Sequence, residues 1–491
     1  MSSKLRRAPA ALFEVSWEVC NKVGGIYTVV STKAEEAVRH FGENYFLLGP
    51  LRKKNPGFEE CLPGSQDDLT WQNFRRAASV HRLKCRFGRW LIPGRPKVIL
   101  IDWEGRYNQN QMLYDLWQDY GVDSLTGGWD YVEPVMFSSA CGEAVAAFSK
   151  VLAGDSDGQL CTAAHFHEWM CGAGLLTLKR IDPSAATVFN THATVLGRAM
   201  AGGGRDIYAE MDQINPADEA RRYSVTAKCS MESAAAREAD CFTTVSSITA
   251  DEAAAFLGRR PDLVTLNGLS LCAIPDYSAD RSEPQNDKKK ILLAVERLLH
   301  RALPDNTRIL LISGRYEFHN KGIDLFLDAL AQLNRRRGAD RPPVLALLAV
   351  MNGHRGMDAH ALNGAFEAAG ENEGGPLTAH RIYDAANDAI LSSCKRLGLD
   401  NRRGNPVQVI LNPAELDGSD GFFNMDYIST LCACDGGIFP SWYEPWGYTP
   451  QEAAACAVPT VTSDLAGFGR WVTGGGADLK GINVLARSHP P

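Results

Sequence analysis

The chain lacks any run of eighteen uninterrupted apolar residues, which argues against a membrane-spanning helix. It lacks a signal-peptide core as well. In the opening MSSKLRRAPAALFEVSW a basic start is followed by only five mostly apolar residues before charge and Trp17 return. Positive charge is not in excess: Lys+Arg number 51 and Asp+Glu 58, a formal net charge of −7, so general binding to nucleic acid or to an anionic membrane is disfavoured. Close cysteine pairs are scarce. The 13 cysteines are scattered, only Cys432 and Cys434 stand together, and no second pair follows at metal-ligand spacing. A reduced thiol set and a cytoplasmic location are the economical expectation. Neither a fixed-period repeat nor a low-complexity tract is present.

What is there is a long, ordinary globular composition. The chain has 491 residues, 45% hydrophobic and 22% charged, a length suited to about two to four domains. Short β-branched or Leu-rich runs alternate with helical stretches. Strands are expected at Leu12–Ser16, Tyr45–Leu48, Val98–Asp102, Leu160–His165, Ala186–His192, Phe242–Ser246, Ile309–Arg315, Val344–Met351, Val407–Leu411, Gly436–Ser441 and Thr460–Ser463. Continuous apolar strands between helices predict parallel sheets covered on both faces. After Lys321, Ile323, Phe326, Leu330 and Leu333 fall on one helical face, with Arg335, Arg336 and Arg337 at the C-terminal end.

The strand–helix rhythm breaks over 271–306, which holds Pro275, Pro284, the Lys288–Lys290 run and an amphipathic segment Ile291–Ala302. We read residues 1–270 and 307–491 as two doubly wound, Rossmann-like α/β domains joined by 271–306 across a cleft, with the lysine run as a solvated helix start. The Gly-, Ala-, His- and Asn-rich stretch Asn352–Ala379 reads as a surface excursion. Ligands of such sheets sit at the carboxyl ends of strands, so the chemistry is expected just after them.

Four places after strands stand out. In Phe439-Pro-Ser-Trp-Tyr-Glu444-Pro-Trp-Gly-Tyr-Thr-Pro-Gln-Glu452, Thr449, Pro450 and Glu452 read as N-cap, first-turn proline and capping-box glutamate. Free amides at that helix start suit a phosphate, Glu444 is free to meet a sugar hydroxyl, and Trp442, Tyr443, Trp446 and Tyr448 suggest a stacking platform. In Ser313–Gly322, Arg315 and Lys321 lie at a helix start, where the dipole disfavours cations, and they make sense around a diphosphate. Asn21-Lys-Val-Gly24-Gly25-Ile26 allows close backbone approach to a phosphate or sugar, although a plain tight turn is the blander reading. His165-Phe-His167-Glu168, His192 and Arg198 look like a polar pocket floor. Without an HExxH helix or a second ligand cluster, the His-x-His-Glu pattern is not read as a metal site.

These strings, YEPWGYTPQE at 443–452, GRYEFHNKG at 314–322, NKVGGIYTV at 21–29, HFHEW at 165–169 and THATVLGR at 191–198, resemble in order the eukaryotic-type glycogen [starch] synthases, glycosyltransferase family 3. The resemblance implies the GT-B fold. It also implies transfer of glucose from UDP-glucose to the non-reducing 4-OH of an α-1,4-glucan, with retention and without metal or cofactor. It carries Glu444 to the donor sugar and Glu452 to the ribose. Trp446, Gly447 and Thr449 go to the glucose and distal phosphate, Arg315 and Lys321 to the leaving diphosphate, and Tyr427 to a stack on uracil. Lys22 with Gly24 and Gly25 goes to a donor loop, and His167, His192 and Arg198 to the N-domain pocket. Glycogen and a glycogenin-like primer are the implied partners, with an oligomer left open.

The sequence also departs from the family. Asp435 stands where a histidine is expected before the strand, the basic, histidine-rich stretch before GRYEF is Leu298–Pro304, and the chain ends before the family's arginine-rich C-terminal helix. The expectation is weak activation by glucose 6-phosphate. The helical insert used for tetramer contacts is reduced to Asn352–Ala379. Competing readings are an ADP-glucose-dependent or small-acceptor GT-B glucosyltransferase, and an inactive glucan-binding form.

Overall fold

The structure, a computed structural model, describes residues 8–64, 69–155, 161–277, 279–336, 341–358, 374–475 and 479–487. Leu160, Arg337 and residues 359–373 of the expected excursion lie outside them. The chain divides into two compact units, Met1–Ser270 and Leu271–Pro491.

In the first unit the strands are β1 (Ala11–Val15), β2 (Tyr45–Pro50), β3 (Phe58–Glu60), β4 (Lys84–Trp90), β5 (Lys97–Asp102), β6 (Thr162–His167), β7 (Ala186–Thr191), β8 (Cys241–Thr244) and β9 (Leu263–Val264). Among the described residues they form one sheet in the order β3-β4-β5-β2-β1-β6-β7-β8-β9. The pairs from β5 to β9 are parallel, while β4 runs antiparallel to both its neighbours. Period-two alternation divides the side chains between two cores. Phe46, Leu48, Ile99 and Ile101 join one cluster, and Tyr45, Leu47, Val98 and Leu100 the other. Both faces are therefore dry, as the continuous apolar runs require.

The helix Trp129–Asp155 is long and apolar enough over Trp129–Gly154 to cross a membrane, yet 78% of its most apolar stretch is buried among the unit's own side chains. It lies tightly on the helix Trp169–Ile181. A Cβ on Gly142 would stand 2.3 Å from the Gly174 carbonyl oxygen, so glycine is what permits the approach.

The second unit holds β10 (Arg308–Arg315), β11 (Val344–Met351), β12 (His354–Met357), β13 (His380–Ile382), β14 (Val407–Asn412), β15 (Gly436–Ile438), β16 (Thr460–Ser463) and β17 (Ile482–Leu485). Six of them form a parallel sheet in the order β14-β11-β10-β15-β16-β17, and β12 pairs antiparallel with β13 apart from it, β12 inside the expected excursion and β13 just after it. The helix Ile323–Arg336 buries Ile323, Phe326 and Leu330 as its periodicity predicts, and Leu327 beside them, while Leu333 of the expected face is only half-buried near the helix end.

The stretch 271–306 differs from expectation. Its helix is Ser282–Leu299, which begins before the lysine run, and it places Ile291, Leu292, Val295 and Leu298 in the second unit's core. Lys288 is not a solvated helix start: its Nζ lies 2.6 Å from Asp435. The apolar i, i+4 pattern starting at Ile291 hid the earlier turns Ser282–Lys290, which are mostly polar and bury only Pro284 and Asp287.

Candidate active site

β10 and β15 are neighbours, with Leu310 beside Gly436 and Leu311 beside Gly437, and each runs out into one of the two C-terminal segments singled out above. β10 ends at Arg315. The chain then turns through Gly322, at φ +69°, where a Cβ would stand 2.2 Å from the Pro440 carbonyl oxygen. Only glycine lets the turn lie against the Pro440 loop. The Asn320 carbonyl fixes the contact by accepting the amides of Trp442 (2.9 Å) and Tyr443 (3.2 Å).

That docking brings Lys321 to Glu444. Lys321 Nζ donates to Glu444 Oε2, and the two side chains are only 15% and 16% exposed. Glu444 is thus an ion-pair partner, not the free loop acid expected: the Gly322 turn brings the lysine to this carboxylate. Arg315, 44% exposed, pairs with Glu317 at 2.8 Å.

The following helix is Tyr448–Ala455, capped at Gly447, with no side-chain cap. The capping box assigned to Thr449 and Glu452 does not form, because the helix starts earlier than that box requires. Glu452 instead accepts a hydrogen bond from Tyr427, whose hydroxyl also lies 3.1 Å from Ser313 Oγ. Burial, reinforced by Glu452, pushes the Tyr427 phenol well above its ordinary range.

The loop aromatics are packed rather than displayed. Tyr443 and Trp446 are buried, Trp446 Nε1 donates to Gln451 Oε1 at 2.8 Å, and its ring meets Phe468 edge-on at 6.0 Å. Trp442 stacks on His319 at 5.3 Å, with the Arg487 guanidinium 3.2 Å from its ring centre on the indole. The sugar-stacking platform is therefore corrected. Tyr443, Trp446 and Trp442 bury area that holds the loop.

In the first unit, β1, β6 and β7 deliver their side chains side by side at their carboxyl ends. Glu14 sits opposite His165 in register, and His167 opposite Asn190. Glu14 is fully buried. Its Oε1 lies 2.6 Å from His167 Nε2 and 2.5 Å from Lys33 Nζ, and its Oε2 accepts from Tyr45 at 2.5 Å. His167 Nδ1 lies 2.8 Å from His192 Nε2. Burial would raise the Glu14 carboxyl, but Lys33 and His167 outweigh it and hold it well below the carboxylate range. Burial lowers His167, His165 and His192, keeping the rings neutral.

Beneath lie more buried acids. Glu168, at φ +67°, accepts the amides of His192 and Ala193 at 3.1 Å each, and burial raises it to about 7 against the opposing pull of Arg198. Glu232 accepts from Thr191 Oγ1 and the Val195 amide at 2.9 Å each and is raised well above its ordinary value by burial and by Glu168.

The Gly24–Gly25 turn opens the helix Gly25–Phe41. Two of its amides do not point to an open phosphate site: Glu18, itself buried, accepts Gly24 N at 2.7 Å and Tyr27 N at 2.9 Å. A carboxylate from the chain satisfies the helix start, as helix starts favour. Lys22 is exposed beside it.

Glu14, Glu18, Lys33 and Glu232 went unnoticed in the sequence. The signal for Glu14 was present, a charge in the otherwise apolar strand ALFEV. Glu14, His165 and His167 place metal-ligating atom types within 4.8 Å of one another. The Lys33 ammonium already stands on the shared Glu14 oxygen, which supplies the countercharge a cation would bring.

A family profile described as glycogen synthase matches residues 14–366 and 357–490. The chain is 34% identical to the human liver glycogen [starch] synthase, over 93% of this chain and 72% of that one. It is 31% identical to glycogen [starch] synthase isoform 2 of Saccharomyces cerevisiae, over 94% and 75%. In structure it is similar to the catalytic domain of starch synthase IV from Arabidopsis thaliana, bound to ADP and acarbose, with a TM-score of 0.52, 14% identity and coverage of 94% and 84%. That likeness establishes the fold.

Proposed function

Because the chain belongs to the glycogen synthase family and is a glucosyltransferase of GT-B fold, joining glucose from a nucleotide sugar to a glucan, we propose that its donor is UDP-glucose and its acceptor the non-reducing 4-OH of an α-1,4-glucan. In this reading residues 307–491 bind the nucleotide sugar and residues 1–270 serve the acceptor side. The observation that carries it is the ion pair of Lys321 with Glu444, set after adjacent strands beside the start of the helix Tyr448–Ala455.

The chemistry follows from charge. As the C1–O bond to the diphosphate breaks, negative charge grows on the departing nucleotide, and no metal is required if cations and amides already wait there. Lys321 and Arg315 supply a point charge and a bidentate fork. Until the donor arrives, Glu444 and Glu317 hold them in place. When the diphosphate takes the lysine, Glu444 is released toward the sugar, while Gly447 and Thr449 face the distal phosphate at the helix start and Trp446 braces the loop from within. Tyr427 stacks on the uracil, with Glu452 at the ribose. In the first unit, His167, His192 and Arg198 are the proposed sugar-pocket residues, and Lys22 with Gly24 and Gly25 the proposed donor-loop residues. The acceptor oxygen joins C1 on the face the diphosphate leaves, and its proton passes to the leaving phosphate oxygen, so configuration is retained.

All 13 cysteines are free thiols, which supports a reducing, cytoplasmic setting. A glycogenin-like primer is the expected first acceptor. The donor is tested by supplying UDP-glucose and ADP-glucose in parallel with glycogen. Incorporation from UDP-glucose supports the reading, and turnover with ADP-glucose alone would replace it. Glycogen binding without incorporation from either donor would make the chain a glucan-binding protein.

A further inference from the structure

A carboxylate buried on a β-strand is costly unless every lone pair and the charge are answered. Glu14 has both answers. Lys33, carried by the helix Gly25–Phe41 over that face of the sheet, lies at 2.5 Å, and the Tyr45 hydroxyl donates at 2.5 Å. The remaining hydrogen bond is from His167 Nε2 at 2.6 Å, with His165 Nδ1 farther off at 3.9 Å from the same oxygen, and beyond it His167 Nδ1 meets His192 Nε2 at 2.8 Å.

An ionised carboxylate only accepts hydrogen bonds. His167 must therefore carry its proton on Nε2. A neutral imidazole has one ring proton, so His167 Nδ1 is a lone pair, and the hydrogen bond to His192 runs from His192 Nε2–H. His192 in turn is left with a bare Nδ1. One charge on β1 thus determines which nitrogen is protonated in two rings, one at the end of β6 and one just after β7.

We propose that Glu14 is a positioning residue that, through the proton on His167 Nε2, locks His167 and His192 in a single tautomeric pattern and turns His192 Nδ1 into a hydrogen-bond acceptor for a hydroxyl of the transferred sugar. This rests on the reading of His167 and His192 as sugar-pocket residues. If Glu14 were neutral, the chain of donors could reverse and His192 would offer a proton where it now offers a lone pair. A hydroxyl that must donate to the ring would then lose its partner, which degrades the geometry of transfer more than the capture of the nucleotide.

The test has two parts. The full chain, labelled with 15N in its histidine rings, is examined by two-bond proton–nitrogen NMR, with His192→Gln used for assignment. Both His167 and His192 are expected to be protonated at Nε2 and bare at Nδ1 near neutral pH. Protonation of either ring at Nδ1, or charge on both, overturns the proposal, and this needs no variant of Glu14 to fold.

Kinetics then test the function. Glu14→Gln should lose the single pattern and lower kcat by roughly tenfold or more, since a wrong tautomer disables a positioned histidine, while KM for UDP-glucose stays within about threefold. Glu14→Asp, which keeps the charge, should restore the ring pattern and part of kcat. Undiminished kcat in Glu14→Gln overturns the positioning role. If the wild-type ring pattern holds but UDP-glucose is not turned over, the donor assignment fails instead, and the two failures are separately visible.

Discussion

Lys321 and Glu444, 123 residues apart, are joined by a hydrogen bond from Nζ to Oε2, and this pair is where the two C-terminal segments meet. It exists because Gly322 lets one loop lie against Pro440 and because Asn320 accepts two amides of the other. A cation held by a carboxylate is oriented before any ligand arrives, and a diphosphate, carrying more charge than a single carboxylate, can take it over. Electrostatic stabilisation of this preorganised kind is effective because the donors need not rearrange as charge develops.

Removing either cation should therefore disable transfer. Lys321→Ala and Arg315→Ala are each expected to lower kcat by roughly 10²–10³-fold, the effect typical of losing one preorganised donor to a developing anion. Steady-state rates with UDP-glucose and glycogen check this. Near-full activity in either variant would place the diphosphate elsewhere.

Glucose 6-phosphate should change the rate by no more than about twofold, well short of a strong allosteric coupling. Asp435, standing where the family resemblance leads one to expect histidine, is a carboxylate answered by Lys288 at 2.6 Å, Arg308 at 2.9 Å and the Ile309 amide at 2.8 Å. It repels a phosphate and occupies the cations that would attract one. A large, saturable activation in the same assay would reveal an anion site built from other residues.

Stability should depend on pH through the acids under the pocket. Burial raises Glu168 from an ordinary 4.5 to about 7 and Glu232 well above its ordinary value. A carboxyl with a raised folded-state pKa contributes stability that is complete below its unfolded value and is lost as pH rises through the folded one, here from about 4.5 to beyond 7. Glu232→Gln cannot ionise, so its Tm should gain on wild type across that window, by roughly 2–4 °C for each kcal/mol removed. Parallel Tm–pH curves for the two proteins would show that Glu232 is not titrating there.

Chelation should leave activity intact. The one cluster of metal-ligating types among the described residues already has the Lys33 ammonium on its carboxylate. Loss of glucose transfer in EDTA, restored by a divalent cation, would contradict the charge assignment at both Glu14 and Lys321.

The fold was legible where apolar runs are continuous. Each of the eleven expected strands overlaps an observed one, since Val344–Met351 or Tyr45–Pro50 has no other way to bury both faces. Of the missed strands, β4 and β12 lacked that signal: β4 alternates Lys, Arg and Gly with its apolar residues and β12 reads HRGM. The helix Ser282–Leu299 begins earlier than the apolar pattern predicts because its first turns are charged. At the site, residue types and their order along the chain were readable, but partners were not. Nothing local in YEPWGYTPQE says that Trp446 turns inward to Gln451, or that Glu18 fills the Gly24 turn. Those outcomes depend on which buried group finds a partner in three dimensions, and the sequence encodes that only through tertiary packing.

The most direct measurement is incorporation of label from UDP-glucose into glycogen by the wild-type chain and by Lys321→Ala, without added metal. The account predicts steady incorporation by the wild type and near-complete loss in the variant, with the product in α-1,4 linkage. Equal incorporation by both, or none by the wild type when ADP-glucose is turned over, would contradict it.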